Sequence, residues 1–271
     1  MSETNKELTP LHTLNPQNRF SDRVEDYVKY RPSYPAAAID RILENFTLPI
    51  AAADIGAGTG ISSRLLAARG IKVIAIEPNT EMRNAGIRDA TALVEWKDGT
   101  AENTNLPDAS VDLVTCFQAF HWFTPEPTLA EFRRILKPEG KLAVVYNNRD
   151  RNDEFTAEYS RIVREASKNH PAEAKTKSVE PLKETAYFKN FEEYKFVYQQ
   201  ELDLTGLIGR AMSVSYLPKS GEGYEQVIDD LENLYQRFKN EKGFVYMSYC
   251  TSVHLGEAVV NEQLTITPIP L

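Results

Sequence analysis

The sequence predicts an α/β fold built on a mainly parallel, doubly wound sheet with helices on both faces. Three observations carry that prediction. Short apolar runs alternate with helical periodicity between residues 49 and 147, the first run ends in a glycine-rich turn, and the first two runs end at carboxylates, Asp54 and Glu77. Repeated strand–helix alternation needs crossovers, and right-handed crossovers bring the strand C-terminal ends to one edge, where ligands of such sheets bind.

Taken in order, Pro49 to Ile55 reads as the first strand, Ile61 to Arg69 as a helix and Lys72 to Ile76 (KVIAI) as the second strand, which completes a βαβ unit. Thr80 to Gly86 starts the next helix. Ala92 to Lys97 and Val111 to Phe117 read as the third and fourth strands, Pro125 to Leu136 as a helix and Lys141 to Tyr146 as the fifth strand. Upstream, Phe20 to Tyr30 is a helix stopped at Arg31-Pro32, because proline disfavours helical geometry in its predecessor, and Ala36 to Phe46 is another. Downstream, Asp153 to Lys168 is helical and Glu192 to Leu204 alternates like a strand. Gly223 to Asn240 carries the stripe Val227, Ile228, Leu231, Leu234, Tyr235 and Phe238, and Gly243 to Leu255 alternates again. No repeat, low-complexity tract or Gly/Ser linker divides the chain. The expected organisation is a mobile tail over 1–18, an N-terminal helical segment over 19–48, a ligand-binding core over 49–150, and cap helices with the last two strands of the same domain over 151–271.

The charge balance of 31 basic against 39 acidic residues, net −8, argues against a nucleic-acid binder that relies on a basic face. The composition, 42% hydrophobic and 26% charged, is that of an ordinary soluble globular chain. The longest apolar stretches, such as Leu48 to Ile55, fall far short of the roughly 20 residues of a membrane helix, and the polar start MSETNKELTP lacks a secretory apolar region, so no membrane partner and a cytoplasmic location are expected. Cys116 and Cys250 are too few for a disulfide framework or a cysteine metal site, and His12, His121, His170 and His254 have no metal-ligand spacing, so no metal is expected.

The turn Asp54-Ile-Gly56-Ala57-Gly58-Thr-Gly60 lies between a strand and a helix, where glycines let backbone approach a ligand closely. Glu77 follows 21 residues after Gly56, at the end of the next strand, where a carboxylate can accept both hydroxyls of a ribose. Together they point to an adenosine cofactor. A dinucleotide fingerprint would want its third glycine at Ile61, and the Asp54 carboxylate beside the loop opposes a pyrophosphate while attracting the ammonium and sulfonium of S-adenosylmethionine. The loop lacks the Gly-Lys-Ser/Thr ending of a phosphate-binding Walker loop.

The runs DIGAGTG, IAIEPN, DGTAENTNLPDASVDLV and FRRILKPEGKLAVV resemble the class I S-adenosylmethionine-dependent methyltransferases. FSDRVEDYVKYRPSYP, AFHWF and LIGRAMSVSYLP further resemble the small-molecule branch that includes the trans-aconitate methyltransferase-like proteins. The resemblance implies a Rossmann-like seven-stranded sheet with an antiparallel last strand and a helical cap, with the N-terminal segment as a lid. It implies that Asp54, Gly56, Ala57, Gly58 and Gly60 line the methionine moiety, Glu77 holds the ribose, and Asn79 and Met82 flank the adenine. It places Thr100, Ala101 and Glu102 at the adenine edge and Gln118 near the methionine part, and it adds Tyr30 and Arg31 from the lid to the cofactor set.

Methyl transfer from a sulfonium is an in-line displacement that needs alignment, exclusion of water and, for some acceptors, removal of a proton. His121, just past the fourth strand, either orients or deprotonates an acceptor or packs the pocket wall. A carboxylate acceptor needs no base, being ionised at pH 7. Tyr27, Tyr34, Trp122, Arg210 and Tyr216 are the candidate substrate contacts. Arg31 and Arg210 can each fork onto a carboxylate or serve as structural ion pairs. The expected activity is transfer of a methyl group from S-adenosylmethionine, with S-adenosylhomocysteine as product, to a small organic acceptor, carboxylic acids included. The rival readings are a cofactor-binding regulatory protein without chemistry and a nicotinamide-dependent oxidoreductase.

Overall fold

Seven strands, β1 (Ala51–Ile55), β2 (Lys72–Ile76), β3 (Val94–Lys97), β4 (Val111–Phe117), β5 (Leu136–Arg149), β6 (Phe188–Leu202) and β7 (Val245–Ala258), form one sheet in the order β3-β2-β1-β4-β5-β7-β6. The computed structural model describes residues 24–89, 91–168, 170 and 179–260. β1 pairs in parallel with β2 and β4, β2 with β3, and β4 with β5, and the last strand is antiparallel. The helices are α1 (Val24–Tyr30), α2 (Ala36–Leu43), α3 (Ile61–Ala67), α4 (Thr80–Arg88), α5 (Pro125–Ile135), α6 (Glu154–Ala166), α7 (Glu180–Glu184), α8 (Leu204–Met212) and α9 (Glu222–Phe238).

The central strands are mostly apolar because both sheet faces are covered. Along β1, β4 and β5 alternate residues enter different cores: Ala53, Ile55, Val114, Cys116, Leu142 and Val144 join one cluster, and Ala52, Leu113, Phe117, Ala143 and Val145 the other. The chain forms two compact units. Among the described residues, a sheet unit comprises 34–89, 91–147, 179–196 and 251–260, and a helical unit comprises 24–33, 148–168, 170 and 197–250. Three of the passages between the units lie within β5, β6 and β7, and another lies between α1 and α2. The helical unit has its own core, in which Phe155, Tyr159 and Val163 of α6 meet Leu207 and Ala211 of α8 and Val227, Leu231 and Leu234 of α9. Asp153 starts α6 by accepting the Thr156 amide at 2.9 Å.

The expected elements recur with shifted ends. The strand expected to run to Leu204 stops at Leu202, because the Asp203 side chain accepts the Gly206 amide at 2.6 Å and caps α8, which begins at Leu204. The helix expected to reach Phe46 ends at Leu43. β5 extends in both directions beyond Lys141 to Tyr146, pairing Leu136 with Val111 across a register shift. The first four residues of the helix expected from Phe20, the 1–18 tail and His12 lie outside the described residues.

Candidate functional site

In the sheet unit, the glycine loop after β1 is fixed by the end of β2. The Gly56 and Ala57 amides both donate to the Ile76 carbonyl, at 2.9 and 3.1 Å, and the Gly60 amide donates to the Ala57 carbonyl at 2.9 Å. Gly56 has φ +68°, and a Cβ there would stand 2.7 Å from the Ala119 methyl. Backbone conformation and space thus both require glycine at this turn. Gly60, also at positive φ, caps α3.

The two carboxylates differ in role. Asp54 is fully buried, and its oxygens accept the hydroxyls of Ser62 (2.6 Å), Ser63 (2.6 Å) and Thr115 (2.9 Å). Burial pushes its pKa above the ordinary aspartate value, and the three hydroxyls oppose that shift. Asp54 therefore ties β1, the start of α3 and β4 together beneath the loop. Glu77 accepts the Gly58 amide on Oε2 at 2.8 Å and the Asn79 amide on Oε1 at 2.9 Å. Burial raises its pKa as well, against the pull of these two amides. A carboxylate offers about four acceptor positions, so Glu77 keeps capacity for two further hydroxyls.

Further along the same edge, Asn79 caps α4 by accepting the amide of buried Met82 at 2.9 Å. The loop after β3 is closed by the Thr100 amide on the Asn103 carbonyl (3.0 Å) and the Asn103 amide on the Thr100 hydroxyl (3.2 Å), and Ala101 is buried within it. Glu102 accepts the Thr124 amide at 2.9 Å, which links this loop to the one after β4. Gln118, at the end of β4, has the left-handed φ of +56°. Its side-chain amide donates to the Asn147 carbonyl at 2.7 Å, and the Asn147 side chain accepts the Thr251 hydroxyl at 2.6 Å. His121 and Trp122 lie in a 3-10 turn directly after, with the His121 ring 5.0 Å from Trp122 and 5.8 Å from Tyr146. Tyr34 is buried edge-on to Phe117, at 4.7 Å between ring centres.

The helical unit brings together a second set of the expected residues. Tyr30, which ends α1, packs its ring on α8, where a Cβ on Gly209 would come within 2.2 Å of it. Arg31 lies over the Tyr27 ring at 4.6 Å and donates to the Ser213 carbonyl at 3.2 Å. Arg210 is buried and donates to the Tyr249 hydroxyl at 3.2 Å and the Ser213 hydroxyl at 3.4 Å. Tyr216 stacks on His170 at 5.3 Å. Tyr27, Tyr30, Arg31, Arg210 and Tyr216 thus form one group, and the glycine loop, Glu77, Gln118, His121, Trp122 and Tyr34 belong to the other unit.

Residues 53–144 match the family model for a methyltransferase domain. Over that stretch the chain carries a methyltransferase domain. An uncharacterized methyltransferase-like protein of Schizosaccharomyces pombe is 36% identical to it over 156 residues, 56% of this chain and 60% of that protein. An uncharacterized methyltransferase of Mycobacterium tuberculosis is 39% identical over 150 residues, 53% of this chain and 58% of that protein. The chain thus spans about three fifths of the length of these curated relatives. The solved structure of a protein assigned as a type II methyltransferase from Anaeromyxobacter dehalogenans shares the fold, with a TM-score of 0.66 at 20% identity over 85% of this chain and 99% of that one.

Within the methyltransferase domain, the supports of the site escaped the sequence. Ser62, Ser63 and Thr115 carry no signal as partners of Asp54 until strand and helix are packed together. Glu131 of α5 was equally hidden: it accepts the Thr104 amide and hydroxyl at 2.8 and 2.6 Å, and Arg134 donates to it. The loop bearing Thr100 to Glu102 is therefore anchored to a helix some thirty residues on. Among the described residues no helix is long and apolar enough to cross a membrane, and no group of three or more His, Cys, Asp or Glu side chains is placed to hold a metal ion.

Proposed function

We propose that the chain transfers a methyl group from S-adenosylmethionine to a small organic acceptor, carboxylic acids included. The observation that carries this reading is the Glu77 carboxylate, buried at the end of β2, oriented by the Gly58 and Asn79 amides and left with acceptor capacity matching the two hydroxyls of a ribose. The donor set fits an adenosine cofactor with a cationic end. Asp54 supplies negative charge beneath the glycine loop, which favours a sulfonium and ammonium and disfavours a pyrophosphate.

Bound S-adenosylmethionine supplies an electrophilic methyl group on sulfur. The chain's own part is to bind and align. Glu77 takes the ribose, Gly56, Ala57, Gly58 and Gly60 present backbone to the methionine portion, and Asn79, Met82, Thr100, Ala101 and Glu102 border the adenine. Gln118 is held in a strained conformation at the mouth of β4, and His121 follows three residues later, where it orients the acceptor or takes its proton. The net charge of −8 supports small-molecule rather than nucleic-acid acceptors.

Incubating the purified chain with S-adenosylmethionine and a panel of small acceptors, carboxylic acids first, tests this by release of S-adenosylhomocysteine. Sustained release with any acceptor is the expected result. Cofactor binding without turnover on the whole panel would favour the regulatory alternative.

A further inference from the structure

Glu77 is held by a cation as well as by amides. Arg83, in the first turn of α4, sends its guanidinium back to the end of β2, where one Nη donates to the Glu77 carbonyl at 2.5 Å. The same nitrogen lies 3.3 Å from the Asp98 carboxylate in the loop after β3, and the other Nη reaches the Thr80 hydroxyl at 3.5 Å. One side chain therefore ties β2, the β3 loop and the start of α4 together around Glu77. The Glu77 amide donates to the Lys97 carbonyl at 3.2 Å, and its carboxylate oxygens accept the Gly58 and Asn79 amides, so every polar group of the residue is held. All of these residues belong to the sheet unit.

The charges around Glu77 do not cancel. Burial does most to raise its pKa and Asp54 adds to the rise, while the Asn79 and Gly58 amides and then Arg83 pull it down. Lys97 is turned to Glu95 at 3.2 Å. Asp98 is 73% exposed and screened by water, whereas Arg83 is 17% exposed and keeps more of its field. The protonation state matters to a ligand. A carboxylate can take two ribose hydroxyls beside its two amides, but a protonated carboxyl has given one acceptor position to its own proton.

We propose that Arg83 is a positioning residue for the cofactor: it holds the end of β2 and keeps Glu77 in the carboxylate form that takes a ribose. Cofactor affinity then persists to lower pH than the burial of Glu77 alone would allow. This deepens the methyltransferase reading and rests on it for the identity of the ligand.

The test uses the full chain with Arg83→Gln, which keeps a donor for the Glu77 carbonyl but loses the charge, Arg83→Lys, which keeps the charge, and Glu77→Gln. Titration calorimetry measures S-adenosylhomocysteine affinity from about pH 5.5 to about pH 8, a range that spans the protonation of a buried glutamate. Carboxyl-carbon NMR of the ligand-free chain follows the ionisation of Glu77, its signal assigned by its loss in Glu77→Gln. Arg83→Gln is expected to raise the Glu77 midpoint. At the acid end it should weaken binding by up to about tenfold for each pH unit of that rise, with the loss shrinking toward the alkaline end. Arg83→Lys should follow the wild-type profile more closely. Adding Arg83→Gln to Glu77→Gln should cost no pH-dependent affinity, because no charge remains to protect. An unmoved midpoint, a loss of equal size at both ends of the range, or the same pH-dependent loss in the Glu77→Gln background would overturn the proposal and leave Arg83 a support of shape alone. Failure of wild type to bind S-adenosylhomocysteine, with the midpoint still moved by Arg83→Gln, would instead overturn the methyltransferase reading, with Arg83 upheld as the charge partner of Glu77.

Discussion

The Gly58 amide donates to the Glu77 carboxylate over 2.8 Å, so the glycine loop after β1 and the acidic residue at the end of β2 are one hydrogen-bonded object. Each orients the other before any ligand arrives, and a preformed carboxylate loses less freedom on binding. Glu77→Ala should therefore weaken S-adenosylhomocysteine binding by about 1–3 kcal/mol, through loss of charged hydrogen bonds and of loop order. Titration calorimetry reads this directly, and unchanged affinity would remove Glu77 from the site.

The raised pKa of Glu77 gives a pH signature. Its folded form holds a proton to higher pH than the ordinary value of 4.5, because burial disfavours the charge. The stability this group contributes is then fully present below the unfolded pKa and lost as pH rises through the folded one. Without ligand, the difference in unfolding free energy between Glu77→Gln and wild type should move in favour of the variant from about pH 4 to about pH 7. Denaturant unfolding across that range checks the sign, and a shift the other way would show that the two amides outweigh burial.

Gly86 of α4 lies against the Trp96 indole, and a Cβ there would stand 2.1 Å from the ring. The same indole approaches to 2.7 Å the position a Cβ would take on Gly60. Gly86→Ala should cost about 1–3 kcal/mol of stability by overpacking, and should weaken cofactor binding by pressing Trp96 toward the loop. Unfolding and calorimetry on one preparation measure both, and a variant as stable as wild type would mean that Trp96 moves freely.

Glu131 collects the Thr104 amide and hydroxyl and the Arg134 guanidinium on one buried carboxylate. Removing it leaves the Thr104 amide without its acceptor, so Glu131→Ala should destabilise the fold by about 1–3 kcal/mol. Amide hydrogen exchange should accelerate over residues 98–106 in particular. Uniform acceleration throughout the chain would contradict a local anchoring role.

His121→Ala should lower turnover by a larger factor than it lowers cofactor affinity, once an acceptor is in hand. An unaltered rate would return His121 to the role of a packed ring beside Trp122 and Tyr146.

The sheet was legible in the sequence wherever strands are buried on both faces. KVIAI and VDLVTCF are predominantly apolar runs, and the observed strands coincide with them residue for residue. α8 was not legible, because Gly206 and Gly209 give its sequence the look of a loop. Gly209 is explained by the Tyr30 ring, a partner nearly 180 residues away. The same limit governs the site. Glycines and strand-end carboxylates follow a local pattern, and Asp54, Gly56 and Glu77 stand out by it. Ser63, Thr115 and Glu131 support them across elements, and ordinary polar residues in ordinary places carry no mark of that. The convergence of Arg31 and Arg210 on Ser213 likewise depends on the packing of two helices that no local spacing records.

Titration of the purified chain with S-adenosylhomocysteine, with NAD in parallel, tests the central claim most directly. The loop built on Asp54 and Glu77 predicts saturable S-adenosylhomocysteine binding and none of NAD. Binding of NAD, or of neither, would contradict it.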